Sequence, residues 1–114
     1  MKREPTEAAL EKRQRARAAL DVDVEIRLDD ETSHRGYARD ISIGGMFVEA
    51  ELDVPFGANV LITLLFPKER ALCALPATVR WSTAHGFGIQ FKLLGVRETY
   101  AITEATRQAN LQCV

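Results

Sequence analysis

Two short clusters of the sequence combine residue types that suit the binding of an anionic or nucleotide-like ligand. The first is the basic run at residues 12–17 (KRQRAR), in which Arg13 and Arg17 are four residues apart. The second is the run at residues 40–45 (DISIGG). A guanidinium group matches a phosphate through two parallel hydrogen bonds and also fits the O6/N7 edge of guanine. The first cluster thus offers cations, and the second offers a carboxylate, a hydroxyl and a glycine turn.

The basic cluster has an ordinary interpretation beside the functional one. Four positive side chains within six residues most often form a solvated helix face. On a helix, Arg13 and Arg17 share one face while Arg15 points away, whereas on a loop both arginines can wrap around a ligand. Lys12 and Arg15 are supplementary cations, and Arg15 also offers a competing register for the pair.

The second cluster is also compatible with a plain turn, because Asp and Ser before two glycines form good turns and bulges. Alternation along a strand predicts that Asp40 and Ser42 share one face while Ile41 and Ile43 enter the core. On that face, a carboxylate could accept hydrogen bonds from the N1 and N2 donors of guanine. The hydroxyl could contact base or phosphate, and Gly45 permits a close backbone approach or a positive φ.

Composition restricts the class of protein. The chain has 114 residues, 46% of them hydrophobic, which predicts one domain. Its net charge of −1 predicts that the electrostatic field of the whole protein does not attract polyanions. Positive charge at residues 12–17 lies beside acidic charge at residues 21–31, which favours a small anionic ligand over DNA or RNA.

Cysteine use and hydropathy indicate a cellular location. Cys73 and Cys113 form no disulfide framework, which is typical of a reducing cytoplasm. The sequence has no signal-peptide pattern and no apolar run of the roughly 18–20 residues that a transmembrane helix needs. A cytoplasmic protein without membrane insertion is therefore expected.

The hydrophobic pattern predicts six short strands and a trailing helix. Residues 21–29 alternate strictly between apolar and polar types, which predicts a strand with one buried face. Residues 59–66 are almost entirely apolar and predict a central strand buried on both faces. The other predicted elements are strands at residues 35–42, 46–50, 72–81 and 87–93 and a helix at residues 96–112.

Hairpin-like turns between these strands predict a small antiparallel barrel or a sandwich, with the C-terminal helix covering one end. The N-terminal residues 6–16 are rich in helix formers and follow Pro5, which predicts a short helical segment. Residues 1–11 are expected to be a flexible or helical extension of a domain that spans residues 12–114.

The order and the sequences of both clusters resemble those of the PilZ domain family. The pattern RxxxR is present at Arg13 and Arg17, DxSxxG is present at residues 40–45, and the stretch DISIGGMFV at residues 40–48 is similar to the family's usual sequence. Two further features agree with this resemblance, namely the predicted strand between the clusters and the sequence Gly-Ile-Gln-Phe at residues 88–91. The resemblance covers residues 12–110 and implies a six-stranded antiparallel β-barrel with a C-terminal α-helix.

The resemblance also implies a function, namely binding of the second messenger cyclic di-GMP without catalysis or a cofactor. It implies that the ligand-binding residues are Arg13, Arg17, Asp40, Ser42 and Gly45. Lys12, Arg15, Gly44 and Arg80 are supplementary candidates. The resemblance implies a cytoplasmic adaptor, whose signal passes to an effector protein that the sequence does not identify.

Other candidate sites are weaker. Arg80 and Trp81 on the fifth predicted strand could face the ligand, although a tryptophan at such a position more often belongs to the core. His34 and His85 lie in predicted turns without partners at metal-ligand spacing, so no metal site is predicted. Neither cysteine has a recognisable catalytic partner. The main alternative function is a PilZ-like protein-interaction module that does not bind nucleotide, followed by a small nucleic-acid-binding barrel and, last, an enzyme.

Overall fold

Alternation of apolar and polar side chains folds this chain into six strands and one helix. The computed structural model describes residues 17–67 and 70–113, with side chains described as far as Arg107. The elements are β1 (Ala18–Leu28), β2 (Ser33–Ile41), β3 (Gly45–Glu49), β4 (Asn59–Phe66), β5 (Ala71–Thr83), β6 (Gly86–Phe91) and α1 (Val96–Cys113).

The six strands form a closed antiparallel barrel in the order β1-β2-β3-β6-β5-β4. Closure comes from the pairing of β1 with β4, which runs from Glu25 opposite Thr63 to Leu28 opposite Val60. The predicted barrel with a C-terminal helix is thus confirmed. Because β1 and β4, the two ends of this order, pair with each other, the sheet closes on itself and the sandwich alternative is wrong.

The core fills the inside of the barrel with one face of each strand. Ile26, Ile62 and Leu75 are completely buried there. Helix α1 packs against β1, β2 and β5, and buries Ala101 and Ile102. The helix therefore closes the end of the barrel at which β1 begins and β2 ends, which is the end that carries the second cluster.

Strand β4 occupies the predicted residues but is buried on one face only. Its side chains alternate between buried and partly exposed positions along the whole strand. Leu65, for example, is 53% exposed. The prediction that this strand is buried on both faces is wrong, because a barrel of this size has a single interior and no layer covers β4 within the described residues.

Three β-bulges interrupt the regular pairing. They lie between Ala19 and Val22 in β1, between Ala38 and Asp40 in β2, and between Val79 and Trp81 in β5. A bulge inserts an extra residue, so that two neighbouring side chains can point to the same face of the strand. The bulges consequently decide which polar and aromatic side chains face outward.

The predicted helical segment at residues 6–16 and the extension at residues 1–11 lie outside the described residues. The boundary between an extension and a domain starting at residue 12 stays a prediction. The first described residue, Arg17, immediately precedes β1.

Candidate functional site

An ion pair joins the two clusters that the sequence analysis singled out. The Nη2 atom of Arg17 donates to the Oδ1 atom of Asp40 over 2.9 Å. The pairing of β1 with β2 sets this contact, because Ala19 lies opposite Asp40 and Arg17 is two residues earlier. A cation from the first cluster and the carboxylate of the second therefore lie side by side on the outside of the barrel.

The bulge in β2 turns Asp40 outward. Ala38 and Ile41 are both completely buried, and the two residues between them, Arg39 and Asp40, point outward together. Arg39 donates to Glu49 on β3 over 3.0 Å, and this hydrogen bond raises the pKa of the Arg39 guanidinium. The surface thus carries two adjacent ion pairs, one of which contains the predicted ligand-binding residues Arg17 and Asp40.

Ser42 lies in the turn after β2 and is 95% buried, with only 5% of its surface exposed. Its backbone N–H and its hydroxyl both donate to the carbonyl of Gly45, over 2.8 and 3.3 Å. The prediction that Asp40 and Ser42 share one face is therefore wrong. Ile43 does not enter the core either, being 51% exposed, because β2 ends at Ile41 and the alternation ends with it.

Gly45 is required by the approach of two strands. A Cβ atom at this position would collide with the carbonyl oxygen of Ile89 on β6 and lie 3.0 Å from its carbonyl carbon. The next residue back, Gly44, accepts a hydrogen bond from the backbone of Phe91 over 2.9 Å. The glycines of the second cluster thus fasten the turn to β6, which holds the turn at the edge of the site.

Trp81 points out of the barrel, so the prediction that it belongs to the core is wrong. The bulge in β5 makes Arg80 and Trp81 both face outward, and Trp81 is 52% exposed. Its ring stacks on Phe47 of β3, with centroids 5.2 Å apart and an angle of 18° between the rings. The two aromatic residues together form a flat apolar surface beside the Arg17–Asp40 ion pair.

Gly88 makes this aromatic stack possible. It lies on β6 between the two rings, opposite Phe47 on one side and Trp81 on the other. A Cβ atom at Gly88 would lie 2.6 Å from Cζ2 of Trp81, which is closer than real contacts allow. The indole ring therefore lies directly over the glycine backbone and reaches Phe47 across β6.

Two clefts meet at Arg17 and Trp81. The larger has a volume of about 900 Å³ and is bounded by the Ser42–Gly45 turn, the end of β6 and the start of α1. The smaller has a volume of about 430 Å³ and is lined by Arg17, Arg39, Asp40, Phe47, Glu49 and Trp81. Both clefts are therefore adjacent to an arginine and an aromatic face.

The structure groups some of the predicted residues and leaves others apart. Arg17, Ser42, Gly44 and Gly45 line the larger cleft, and Arg17 and Asp40 line the smaller. Arg13, Lys12 and Arg15 lie outside the described residues. Arg80 lines neither cleft, and its guanidinium lies 5.8 Å from the centre of the Phe56 ring instead.

Sequence reasoning missed Phe47 and Gln90, which line the smaller and the larger cleft. A signal for Phe47 was present, because it alternates with the buried residues Met46 and Val48 and must face outward. The outward position of Trp81 had no such signal, since the bulge that turns it out has no sequence pattern of its own.

The described residues also bear on metal ions and membranes. Among residues 17–67 and 70–113, no three His, Cys, Asp or Glu side chains converge in a way that would hold a metal ion. In that same part of the chain, no helix has the length and hydropathy that crossing a bilayer requires.

Two solved structures with the same fold are PilZ domains at low sequence identity. The PilZ domain of CeSA from a cellulose-synthesising bacterium has 16% identity and a TM-score of 0.65, and the match covers 82% of this chain and 96% of that one. The PilZ domain of Escherichia coli YcgR, solved with c-di-GMP, has 15% identity and a TM-score of 0.63, with coverage of 88% and 95%.

A longer protein shows the same likeness over part of its length. The Bacillus subtilis inhibitor of motility, MotI/DgrA, has 18% identity and a TM-score of 0.70, and 87% of this chain matches 51% of that one. This chain thus spans about half of that protein. A search of curated protein sequences returned no match. The sequence profile of the PilZ domain matches residues 11–105, and the chain therefore belongs to the PilZ domain family.

Proposed function

We propose that this protein is a receptor for cyclic di-GMP that binds the nucleotide across the two clefts and has no catalytic activity of its own. The observation that carries the proposal is the 2.9 Å contact between Arg17 and Asp40, which brings the two motif clusters together. Arg17 lines both clefts, and Asp40 lines the smaller one. The solved YcgR domain with c-di-GMP supports the choice of ligand within this family.

The chemistry of the site suits the two kinds of group in the ligand. Arginine pairs bidentately with phosphate and with the O6/N7 edge of guanine. A carboxylate accepts from the N1 and N2 donors of guanine, which adenine lacks as a pair. In the proposed complex Arg17 contacts phosphate or guanine and Asp40 reads the base, so the ligand replaces part of their ion pair. Loss of this exposed ion pair costs only about 0.2–1 kcal/mol.

The aromatic stack supplies a surface for a base. Stacking of a base on an aromatic side chain contributes about 1–3 kcal/mol. Trp81 borders both clefts, so a guanine in either one can lie against its ring. We propose that Gly45 and Ser42 act mainly by holding the turn, with the Ser42 hydroxyl as a secondary contact in the larger cleft.

The direct test is isothermal titration calorimetry of the wild-type protein with cyclic di-GMP, cyclic di-AMP, GTP and single-stranded DNA. Saturable binding of cyclic di-GMP alone is the expected result. Heat with single-stranded DNA only would favour a nucleic-acid-binding barrel. Absence of heat with all four ligands would favour the alternative of an interaction module that does not bind nucleotide.

A matched pair of arginine substitutions ties binding to the site. Arg17→Ala removes the cation at the junction of the clefts, whereas Arg27→Ala removes an exposed arginine of β1 that lines neither of them. Loss of affinity in the first variant and none in the second is expected. Equal behaviour of the two variants would contradict the proposed site.

The finer part of the proposal concerns the N-terminal residues. We propose that Arg13 joins Arg17 in holding the ligand, which would order residues 10–17 against the barrel and create a surface that an effector protein reads. Hydrogen exchange should then slow in residues 10–20 and 40–46 when cyclic di-GMP is added, while α1 changes little. Tight binding without slower exchange in residues 10–20 would place the switch elsewhere.

Stability gives an independent measure of binding. A ligand at a hundredfold excess over its dissociation constant should stabilise the folded state by about 2.7 kcal/mol.

The effector protein, its pathway and the cytoplasmic location stay predictions, and so does the absence of DNA or RNA partners.

A further inference from the structure

The pairing of β1 with β2 is irregular directly beside the proposed ligand site. Val22 lies opposite Ala38, and the next aligned pair toward the start of β1 is Ala19 opposite Asp40. Two residues of β1 therefore lie between these pairs, against a single residue of β2. We call these two residues, 20–21, the β1 bulge.

The β1 bulge decides that Arg17 lies beside Asp40. Arg17 is two residues before Ala19 and, like Ala19, is exposed, and its Nη2 atom reaches Oδ1 of Asp40 over 2.9 Å. Regular pairing continued past the bulge would instead put Leu20 opposite Asp40. Residues three apart on a strand face opposite sides, so Arg17 would then point away from Asp40. It would also lie about 3.4 Å further along the strand.

The hydrophobic pattern does not fix the register of this part of β1. Residues 22–28 alternate between apolar inward and charged outward side chains, so a slip of one residue would bury charges. Ala18, Ala19 and Leu20 are all apolar, and a slip there only exchanges one apolar side chain for another. Another feature must therefore hold the start of β1 in its register.

That feature is the backbone of Asp21. Its φ angle is 52°, in the left-handed region that residues with a Cβ atom rarely adopt, Asn and Asp being the most tolerant. A left-handed residue at a bulge lets a strand take up one extra residue and continue its pairing. The hydroxyl of Tyr37 on β2 donates to Oδ1 of Asp21 over 3.2 Å, which ties the bulge to the strand that carries Asp40.

We propose that Asp21 is a positioning residue for the binding of cyclic di-GMP. Its left-handed backbone fixes the β1 bulge, and the bulge places Arg17 beside Asp40. Asp21 itself lines neither cleft. The expected effect on affinity rests on the proposed function, whereas the effect on the register of β1 is a property of the free protein.

A series of substitutions at Asp21 tests the role of its backbone. Glycine, alanine and valine all remove the carboxylate, but they tolerate a positive φ in decreasing order. Asp21→Gly should bind cyclic di-GMP within about threefold of the wild type, because glycine adopts this conformation freely. Asp21→Val should weaken binding at least about tenfold, as removal of Arg17 itself should. Asp21→Ala should fall between the two.

Calorimetry measures these affinities, and circular dichroism checks the fold, which the exposed position of Asp21 should preserve. Unchanged affinity in both Asp21→Ala and Asp21→Val would overturn the proposal. An equal loss in Asp21→Gly and Asp21→Ala would overturn it too, because the effect would then belong to the carboxylate. The comparison of glycine with alanine decides the question even if the valine variant does not fold.

Glu31 provides a matched control at the other end of β1. It also has a positive φ, of 70°, and lies in the turn to β2, where its N–H donates to the carbonyl of Leu28 over 2.9 Å. Glu31→Val should lower stability toward urea without changing the affinity for cyclic di-GMP, because this turn lines neither cleft. A loss of affinity as large as that in Asp21→Val would contradict a specific role of the bulge.

A double-mutant cycle tests whether Asp21 acts through Arg17. Asp21→Val should weaken binding no further in a protein that already carries Arg17→Ala, because the side chain that the bulge positions is then absent. Additive losses would overturn the positioning role.

Nuclear magnetic resonance of the protein without ligand measures the register directly. Cross-strand Overhauser contacts of Asp40 should identify Ala19 as its partner in the wild type and in Asp21→Gly, and Leu20 in Asp21→Val. Ala19 as the partner in Asp21→Val would overturn the proposal whatever the affinities are. A wild-type protein that binds no cyclic di-GMP, with the expected change of partner in Asp21→Val, would contradict the proposed function and support the role of Asp21 in the register.

Discussion

Two sides of the same barrel differ in how strictly their strands pair. On one side, which we call the regular side, β4 pairs with β1 and with β5 without a single register shift. On the other, the bulged side, shifts in β2 and β5 turn Arg39, Asp40 and Trp81 outward. The regular side places its side chains by alternation alone, whereas the bulged side gains extra outward side chains. Two residues of the proposed ligand site, Asp40 and Trp81, lie where the alternation fails.

The two sides also differ in how much their side chains contribute to the stability of the fold. Regular pairing sends every second residue of β4 into the core, where Ile62 and Phe66 are completely buried. The outward side chains on the bulged side form exposed ion pairs, which contribute little to folding. Substitutions on the regular side should therefore act on stability, and substitutions on the bulged side should act on binding.

The largest expected effect is on the regular side. Leu75→Ala removes a completely buried side chain that pairs with Ile62 across β4 and β5. The lost packing and the remaining cavity should lower the free energy of unfolding by about 2–5 kcal/mol. Urea denaturation measures this loss. Calorimetry at a temperature where the variant is still folded should find unchanged affinity for cyclic di-GMP, and a large loss of affinity would mean that the two sides are coupled.

The next effect is on the bulged side. Arg13→Ala and Arg17→Ala should each weaken cyclic di-GMP binding by more than about 1.5 kcal/mol, the scale of charge-assisted hydrogen bonds. The free energy of unfolding should change by less than about 1 kcal/mol in Arg17→Ala, because its ion pair is exposed. Calorimetry and urea denaturation measure the two quantities. If Arg15→Ala were the damaging substitution instead of Arg13→Ala, the register of the arginine motif would be wrong.

Asp40→Ala should change selectivity more than stability. A carboxylate that pairs with the N1 and N2 donors of guanine discriminates against adenine by about 1–3 kcal/mol. The variant should therefore lose preference for cyclic di-GMP over cyclic di-AMP, as measured by competition titration. Circular dichroism serves as the folding control. An equal loss of affinity for both nucleotides would mean that Asp40 only shapes the end of β2.

The smallest expected effect concerns the aromatic stack. Gly88→Ala places a methyl group against the Trp81 ring, which must move away from Phe47. We expect a shift in tryptophan fluorescence, which is specific because the chain has a single tryptophan. Affinity for cyclic di-GMP should fall by about 1 kcal/mol, the lower end of base-stacking energies.

A double-mutant cycle separates this effect from damage to β6. If Gly88 acts only by placing the indole ring, Gly88→Ala should weaken binding no further in a protein that already carries Trp81→Ala. Additive losses in the two variants would contradict that role, and would show that the glycine matters to the strand itself.

The regular side was also the part that the sequence predicted best. Residues 59–66 were predicted as a strand and form β4 with those bounds. Its burial was predicted wrongly, because an uninterrupted apolar run does not reveal whether its second face meets protein or water. Leu65 and Leu72 are the residues that show the difference.

Errors on the bulged side have one physical cause. The position of Ile43 was predicted from simple alternation, which does not continue past the end of a strand. Trp81 was expected in the core, and a bulge turns it outward. The motif pattern nevertheless identified Arg17 and Asp40, which the structure brings within 2.9 Å. The sequence therefore predicts which residue types meet, but the direction of each side chain depends on local pairing that no pattern encodes.

The bulges also bear on how this family can diverge. An extra outward residue at a bulge leaves the inward residues before and after it in place, as Ala38 and Ile41 show. Substitutions at Arg39, Asp40 or Trp81 can therefore accumulate over evolutionary time without repacking the core. Three solved structures share this fold, with TM-scores of 0.63–0.70, at only 15–18% identity. A barrel built in this way can acquire a new ligand specificity by drift at a few outward positions.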